Sequence, residues 1–178
     1  MWETIVAWRG EITTTAAVLL MCLLFKLWLR QPWWRLFFGG LMLGVATEFI
    51  TEPEWQYSLK VYIWRDVSPF IMVGWGVLFV WWITISDALY RVWFRAEPGG
   101  AGGFWRLRLL DAMVGLPLCL ANEIFGMQVL KIWTYSPILH WNLMIPILNY
   151  PLEGLLSAFL FSLYAPQAVR YWKAAPWK

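Results

Sequence analysis

Five apolar stretches, each about as long as a bilayer is thick, constrain this chain more than any other feature. They run from Glu11 to about Leu29, from Trp34 to Ile50, from Val67 to Tyr90, from Leu107 to Phe125, and from Ile145 to about Tyr164. A hydrocarbon core of about 30 Å takes roughly 20 residues of helix to cross. Lipid offers no partner for backbone N–H and C=O groups, so each stretch must satisfy its own and is predicted helical. Gln31-Pro32 separates the first two stretches. Glu97-Pro98-Gly99-Gly100-Ala101-Gly102-Gly103 reads as a flexible loop between the third and fourth. Pro137, Pro146 and Pro151 punctuate the approach to the fifth, where a half-buried or re-entrant piece would fit.

Composition points the same way. Hydrophobic residues make up 61% of the chain and charged residues 14%, with a mean hydropathy of +0.56. Soluble domains carry about 25% charge, and none of this size could hide so much apolar surface from water. The expectation is an all-α polytopic membrane bundle of about five transmembrane helices, forming one domain over residues 1–178. The sixteen Trp exceed what two interfacial belts require, which places some of them inside. No signal peptide is expected at residues 1–10, where Glu3 falls and no basic start or small-residue cleavage site follows.

An odd number of spans puts the two termini on opposite sides. One side then holds Lys26, Arg30, Arg35, Arg91, Arg95, Arg106, Arg108, Arg170, Lys173 and Lys178, and the other only Arg9, Lys60, Arg65 and Lys131. By the positive-inside rule the first side, with the C-terminus, is expected to be cytoplasmic. The compact length and absent targeting sequence point to a bacterial inner membrane. Acidic residues do the reverse: Glu48, Glu52, Glu54, Asp66, Glu123 and Glu153 gather at the other end. Asp66 is expected to cap the third helix, and Asp87 and Asp111 to pair with nearby Arg.

A weak internal repeat runs through the chain. Leu43-Gly44-Val45-Ala46-Thr47-Glu48 resembles Leu118-Cys119-Leu120-Ala121-Asn122-Glu123, and Trp55-Gln56-Tyr57-Ser58 resembles Trp133-Thr134-Tyr135-Ser136. Trp64 and Pro69 match Trp141 and Pro146 at a common offset. This divides the chain into an extra first helix, 11–29, and two repeat units, about 34–90 and 107–165. Two spans per unit make the repeats parallel, so Glu48 and Glu123 are expected on one side of the membrane.

A carboxylate within a membrane is costly and marks a functional site by default. Glu48 and Glu123 end apolar runs, and Glu153 enters the fifth at a similar depth, so these three are the candidate catalytic residues. Carboxyls at one level of a bundle can share protons, leaving a neutral acid suited to general-acid chemistry. The plain alternative is that each reaches the interface or caps a neighbour. Trp55, Tyr57, Trp75, Trp133 and Tyr135 lie close by in sequence and are the candidate substrate-binding residues, with Trp64 and Trp141 near them. Aromatic faces attract cations, so acid and rings together suit carbocation chemistry on a polyene. An interfacial aromatic belt would also account for these rings.

Other chemistries find little support. Cys22 and Cys119 lie in apolar runs, and His140 is the single histidine. That leaves no metal-ligand cluster, disulfide framework or Ser-His pairing, and neither a Gly-rich phosphate loop nor an Asp-rich diphosphate motif is present. No cofactor is expected. The net charge of +3 comes from helix-end clusters and does not form a nucleic-acid surface.

Ala46-Thr47-Glu48-Phe49-Ile50, Asn122-Glu123-Ile124-Phe125 and the two Trp-x-Tyr-Ser motifs resemble features of the membrane-embedded terpene cyclases. That family includes the fungal meroterpenoid cyclases and the bacterial carotenoid cyclase and hydratase group. The resemblance covers about a quarter of the chain. It implies proton-initiated cyclisation of an isoprenoid or epoxy-isoprenoid, without metal or diphosphate loss, with Glu48, Glu123 or both as the acid. It implies a lipophilic isoprenoid and membrane lipid as partners, and leaves the oligomeric state open. The chain departs from the family in having five spans where six or seven are common, and Thr47 where a Trp often precedes the first Glu. The competing expectation is a non-enzymatic tryptophan-rich membrane protein, either sensor- or translocator-like or an accessory subunit of a membrane complex.

Overall fold

The computed structural model describes residues 2–29, 33–99 and 103–174. Arg30, Gln31, Pro32, Gly100, Ala101, Gly102 and Lys178 lie outside the described residues. A short helix α1 (Trp2–Ala7) precedes α2 (Arg9–Leu24), which runs on as a π-helical turn over Phe25–Leu29. Next come α3 (Trp34–Thr51), a 3₁₀ turn (Glu52–Glu54), β1 (Trp55–Tyr57) and α4 (Pro69–Phe94). Helix α5 (Phe104–Ile124) also passes into a π turn, Phe125–Val129. The chain closes with β2 (Trp133–Tyr135), β3 (Met144–Ile145), β4 (Tyr150–Pro151) and α6 (Leu152–Ala174).

The protein is therefore an all-α bundle with minor strands. Arg9–Leu27, Pro69–Phe94, Phe104–Val129 and Leu152–Ala174 are long and apolar enough to cross a membrane. Helix α3 falls outside that set, since Arg35 and Glu48 lie within its eighteen residues. It nonetheless packs inside the bundle, against α4 and α6, while α5 packs against α6 and α4. The core centres on α4, whose Phe79, Val80, Trp82 and Ile83 are fully buried, with Met21 and Phe25 of the first helical segment and Val169 of α6 against them. Leu19, Leu20, Leu23, Val92, Met113 and Leu160 are exposed, an outer surface suited to lipid.

Successive helices alternate in direction. The C-terminal ends of α3 and α5 meet the N-terminal ends of α2, α4 and α6 at one end of the bundle, called here the acidic end. The first helix is fastened there through its polar residues. Glu11, buried, accepts the Lys60 backbone N–H at 2.6 Å, and Arg9 donates to the carbonyls of Leu130 and Lys131. At the opposite, basic end, Arg170 of α6 donates to both Asp87 of α4 (2.8 Å) and Asp111 of α5 (2.5 Å). The expected Asp–Arg pairing thus exists, with a partner from the last helix and not from the adjacent Arg clusters.

Two boundaries differ from the sequence expectation. The last helix begins at Leu152, not Ile145, and runs to Ala174. Residues 144–151 form a short hairpin, Met144 opposite Pro151 and Ile145 opposite Tyr150, turned by Asn149 at φ 46°. Pro146 and Pro151 lack the N–H a helix interior needs, so the helix starts only after the second of them. Pro146 is therefore not the structural counterpart of Pro69, which opens α4 at its first turn. The cap of α4 is Ser68, whose hydroxyl accepts from the Phe70 N–H, and not Asp66.

Candidate functional site: an acidic cavity walled by aromatic residues

Glu48 lies in the last turn of α3 and is only 3% exposed. Its carboxylate accepts two hydrogen bonds, from the Tyr57 hydroxyl at 2.8 Å and from the Trp75 indole N–H at 2.8 Å. Glu123 ends α5 just before the π turn and accepts one, from the Trp133 indole N–H at 3.1 Å. Single π turns inside α-helices are frequent at functional sites, because the extra residue re-aims side chains.

Each of these indoles rests on a glycine. A Cβ on Gly44 would come within 2.4 Å of Trp75, and one on Gly126 within 2.0 Å of Trp133. Any larger residue would push the ring away and take the carboxylate's donor with it. Gly44 precedes Glu48 by one helical turn, and Gly126 follows Glu123 by about one, so the residue that seats the indole is adjacent to the acid it serves.

The two Trp-x-Tyr motifs pair with each other. β1 and β2 run antiparallel with Trp55 opposite Tyr135, Gln56 opposite Thr134 and Tyr57 opposite Trp133. The flanking bonds match as well: the Ser58 N–H donates to the Ile132 carbonyl and the Ser136 N–H to the Glu54 carbonyl. Such self-pairing is what a local two-fold axis through Gln56 and Thr134 produces. It packs Trp55 at a tilt against Tyr135 with ring centroids 4.8 Å apart, and brings Tyr57 edge-on to Trp133 at 6.1 Å.

Below this ribbon lies a cavity of about 280 Å³. Glu48 and Glu123 both line it. So do all five predicted aromatic residues, Trp55, Tyr57, Trp75, Trp133 and Tyr135. Glu153 is not among its lining residues. Its carboxylate accepts the Asn142 backbone N–H at 2.9 Å and so fastens the preceding loop to the start of α6. Trp64 is also elsewhere, stacked on Phe49.

Trp141, Tyr150, Phe161 and Cys119 also line the cavity, as does a third carboxyl, Glu54. Phe161 and Tyr150 were not singled out from the sequence, because Phe161 lies in an unmarked apolar helix and Tyr150 in a hairpin whose fold the prolines obscure. The buried indole N–H of Trp141 has no hydrogen-bond partner among the described residues. Burial, with Glu48 beside it, pushes the Tyr57 hydroxyl well above the ordinary tyrosine range. Burial likewise raises Tyr135, and raises Tyr150 to about 12. These phenols remain neutral donors across the physiological range. Cys22 and Cys119 are free thiols, and no group of three or more His, Cys, Asp or Glu that could hold a metal occurs among the described residues.

Fold and site together define a class: a multi-pass helix-bundle membrane protein enclosing a carboxyl pair in an aromatic cavity. No family model matches the chain, and searches of curated proteins and of solved structures found no match either.

Proposed function

We propose that the protein is a membrane-embedded cyclase that starts carbocation chemistry on an isoprenoid or epoxy-isoprenoid by protonation, as in natural-product or carotenoid biosynthesis. The observation that carries this reading is the Glu48–Glu123 pair facing one cavity walled by aromatic rings.

The two carboxyls are unequally supported, and that inequality assigns their roles. Glu48 has two donors, which favour its anionic form, while Glu123 has one. Carboxylates sharing one cavity do not all ionise readily, and in this reading Glu123 carries the proton. Glu123 then delivers that proton to a terminal alkene or epoxide oxygen. The π pair of the alkene, or a lone pair on the epoxide oxygen, takes up the proton; in the epoxide the C–O bonding pair then departs onto oxygen, and either route leaves a carbocation. Neighbouring double bonds attack it in turn to close rings. The faces of Trp55, Trp75 and Trp133 stabilise the positive charge without reacting with it. Glu48 accepts the proton lost from the final cation, and transfer between the two acids restores the starting state. The free indole N–H of Trp141 offers a donor to an oxygen on the substrate.

The Lys and Arg distribution orients the protein in this reading. Lys26, Arg35, Arg91, Arg95, Arg106, Arg108, Arg170 and Lys173 support a cytoplasmic basic end and C-terminus by the positive-inside rule, read here for a bacterial inner membrane. The acidic cavity then belongs to the outer half of the inner membrane.

The test is expression with linear polyprenyl and epoxyprenyl substrates, followed by product analysis. Glu123→Gln and Glu48→Gln are each expected to reduce cyclised product by about 10²–10⁴-fold, the usual worth of a general acid or base. Unchanged product from either variant would remove that residue from the mechanism. Loss of a co-purifying partner with no effect on any product would instead favour an accessory subunit.

A further inference from the structure

A second cavity, about 300 Å³, lies on the outer side of the bundle between α2 and α4. Its walls are Thr15, Val18 and Leu19 on one helix and Phe70 and Val73 on the other. Leu19 is 65% exposed, so this groove faces the lipid. Thr14 lines both the groove and the acidic cavity, so the two adjoin at that residue.

Across from Thr14, on α4, Gly74 lines the acidic cavity next to the groove residue Val73. Gly74 differs from the glycines that seat indoles. A Cβ there would meet nothing within 4 Å. A glycine inside a helix is less stable than alanine, and packing does not require this one. What it preserves is open space in the wall of the acidic cavity, beside the groove residue Val73.

Size supplies the remaining argument. Pockets that enclose a drug-sized ligand span roughly 300–1,000 Å³. The acidic cavity alone falls at the bottom of that range, so a long aliphatic substrate needs further room. We propose that the gap between Thr14 and Gly74 is a lateral portal, through which the aliphatic tail of a lipophilic substrate extends from the acidic cavity into the groove between α2 and α4. The substrate thereby reaches the carboxyls sideways from the bilayer, and residue 74 limits the tail that can pass. This rests on the proposed function for the identity of the substrate, but not for the existence of the passage.

The experiment uses the full chain in lipid nanodiscs and a farnesol analogue carrying a diazirine at its hydrocarbon end. After photolysis, labelled peptides are located by mass spectrometry. Labelling is expected on residues 15–19 and 70–73. Gly74→Leu, whose Cβ meets nothing within 4 Å, is expected to lower that labelling by at least about tenfold. Val18→Trp fills the groove from the lipid side and provides a second, independent block with the same expected loss. Thermal unfolding of both variants verifies that the bundle is intact. Three outcomes would overturn the portal: labelling unaffected by either variant, labelling spread evenly over the outer faces of α3 and α5, or labelling competed equally well by bulk phospholipid. The same measurement in Glu123→Gln separates the two readings. Portal-dependent labelling in Glu123→Gln with product unchanged leaves the passage standing and rejects the acid role, whereas loss of product with labelling indifferent to both blocking variants rejects the passage and leaves the acid role standing.

Discussion

At the scale of single residues, the site is two carboxylates, each served by an indole that a glycine allows to come close. Trp75 over Gly44 donates to Glu48, and Trp133 over Gly126 donates to Glu123. Tyr57 gives Glu48 an additional bond that Glu123 lacks. The two acids should therefore respond differently to loss of a donor. Trp133→Phe removes the one hydrogen bond described for Glu123, whereas Tyr57→Phe leaves Glu48 with Trp75. Removing a hydrogen bond to a buried polar group costs about 1–3 kcal/mol. Unfolding measurements in mild detergent are expected to show both losses, but under the proposed chemistry cyclisation should fall more in Trp133→Phe, where Glu123 loses its one described hydrogen bond. Equal turnover in the two variants would contradict the assignment of Glu123 as donor. Much of this level was legible in the sequence. Intramembrane glutamates are conspicuous because each is costly, and the repeated Trp-x-Tyr-Ser motifs mark the residues near them. The glycines were not legible, since a close approach depends on which ring lies opposite. Glu153 looked equivalent to the other two in sequence depth. It differs because its backbone neighbours at Asn142 take up its carboxylate before it reaches the cavity.

At the scale of elements, the short strands and π turn matter more than their length implies. β1 and β2 contain three residues each, yet their pairing sets Tyr57 and Trp133 opposite one another above the two acids. The π turn at Phe125–Val129 carries Gly126 beneath Trp133. Gly126→Ala should therefore act through Trp133. The expected result is a loss of about 1–3 kcal/mol in stability, the usual cost of overpacking, together with reduced cyclisation. A shift in tryptophan fluorescence that is absent when the same change is made in Trp133→Phe would trace the effect to that ring. Helix existence was readable from apolar length, because lipid leaves the backbone no alternative. The start of α6 was not. Apolar residues from Ile145 onward look helical by hydropathy, but two prolines and a left-handed Asn149 turn them into a hairpin. Hydropathy reports burial in lipid or protein and is blind to missing N–H groups.

At the scale of the whole molecule, polar contacts fasten the bundle at both ends. Arg170 joins α4, α5 and α6 through Asp87 and Asp111, and Asp111 is fully buried. Gln167 also donates to Asp111, at 2.7 Å. Arg170→Met should cost about 3–5 kcal/mol, because it strands a buried carboxylate and does not merely remove an attraction. Thermal unfolding in detergent would register this as a lower midpoint. A double variant, Arg170→Met with Asp111→Leu, is expected to recover most of the loss. At the other end, Arg9 and Glu11 tie the first helix to the loops that cover the cavity. These contacts fasten α2, which packs beside α4 and lines the groove with it.

The sequence by itself determined that this chain is a multi-pass bundle, that its charges separate to opposite ends, and that Glu48 and Glu123 share one of them. Those properties follow from one-dimensional facts: apolar length against bilayer thickness, and an alternating direction for successive spans. The tertiary structure decided which residues meet. It turned the two Trp-x-Tyr motifs against each other, gave Glu48 two donors and Glu123 one, set Glu153 aside, and joined Arg170 to aspartates far from it in the chain. Side-chain contacts depend on helix rotation and on close approaches that single glycines permit, and neither is recorded in hydropathy or spacing.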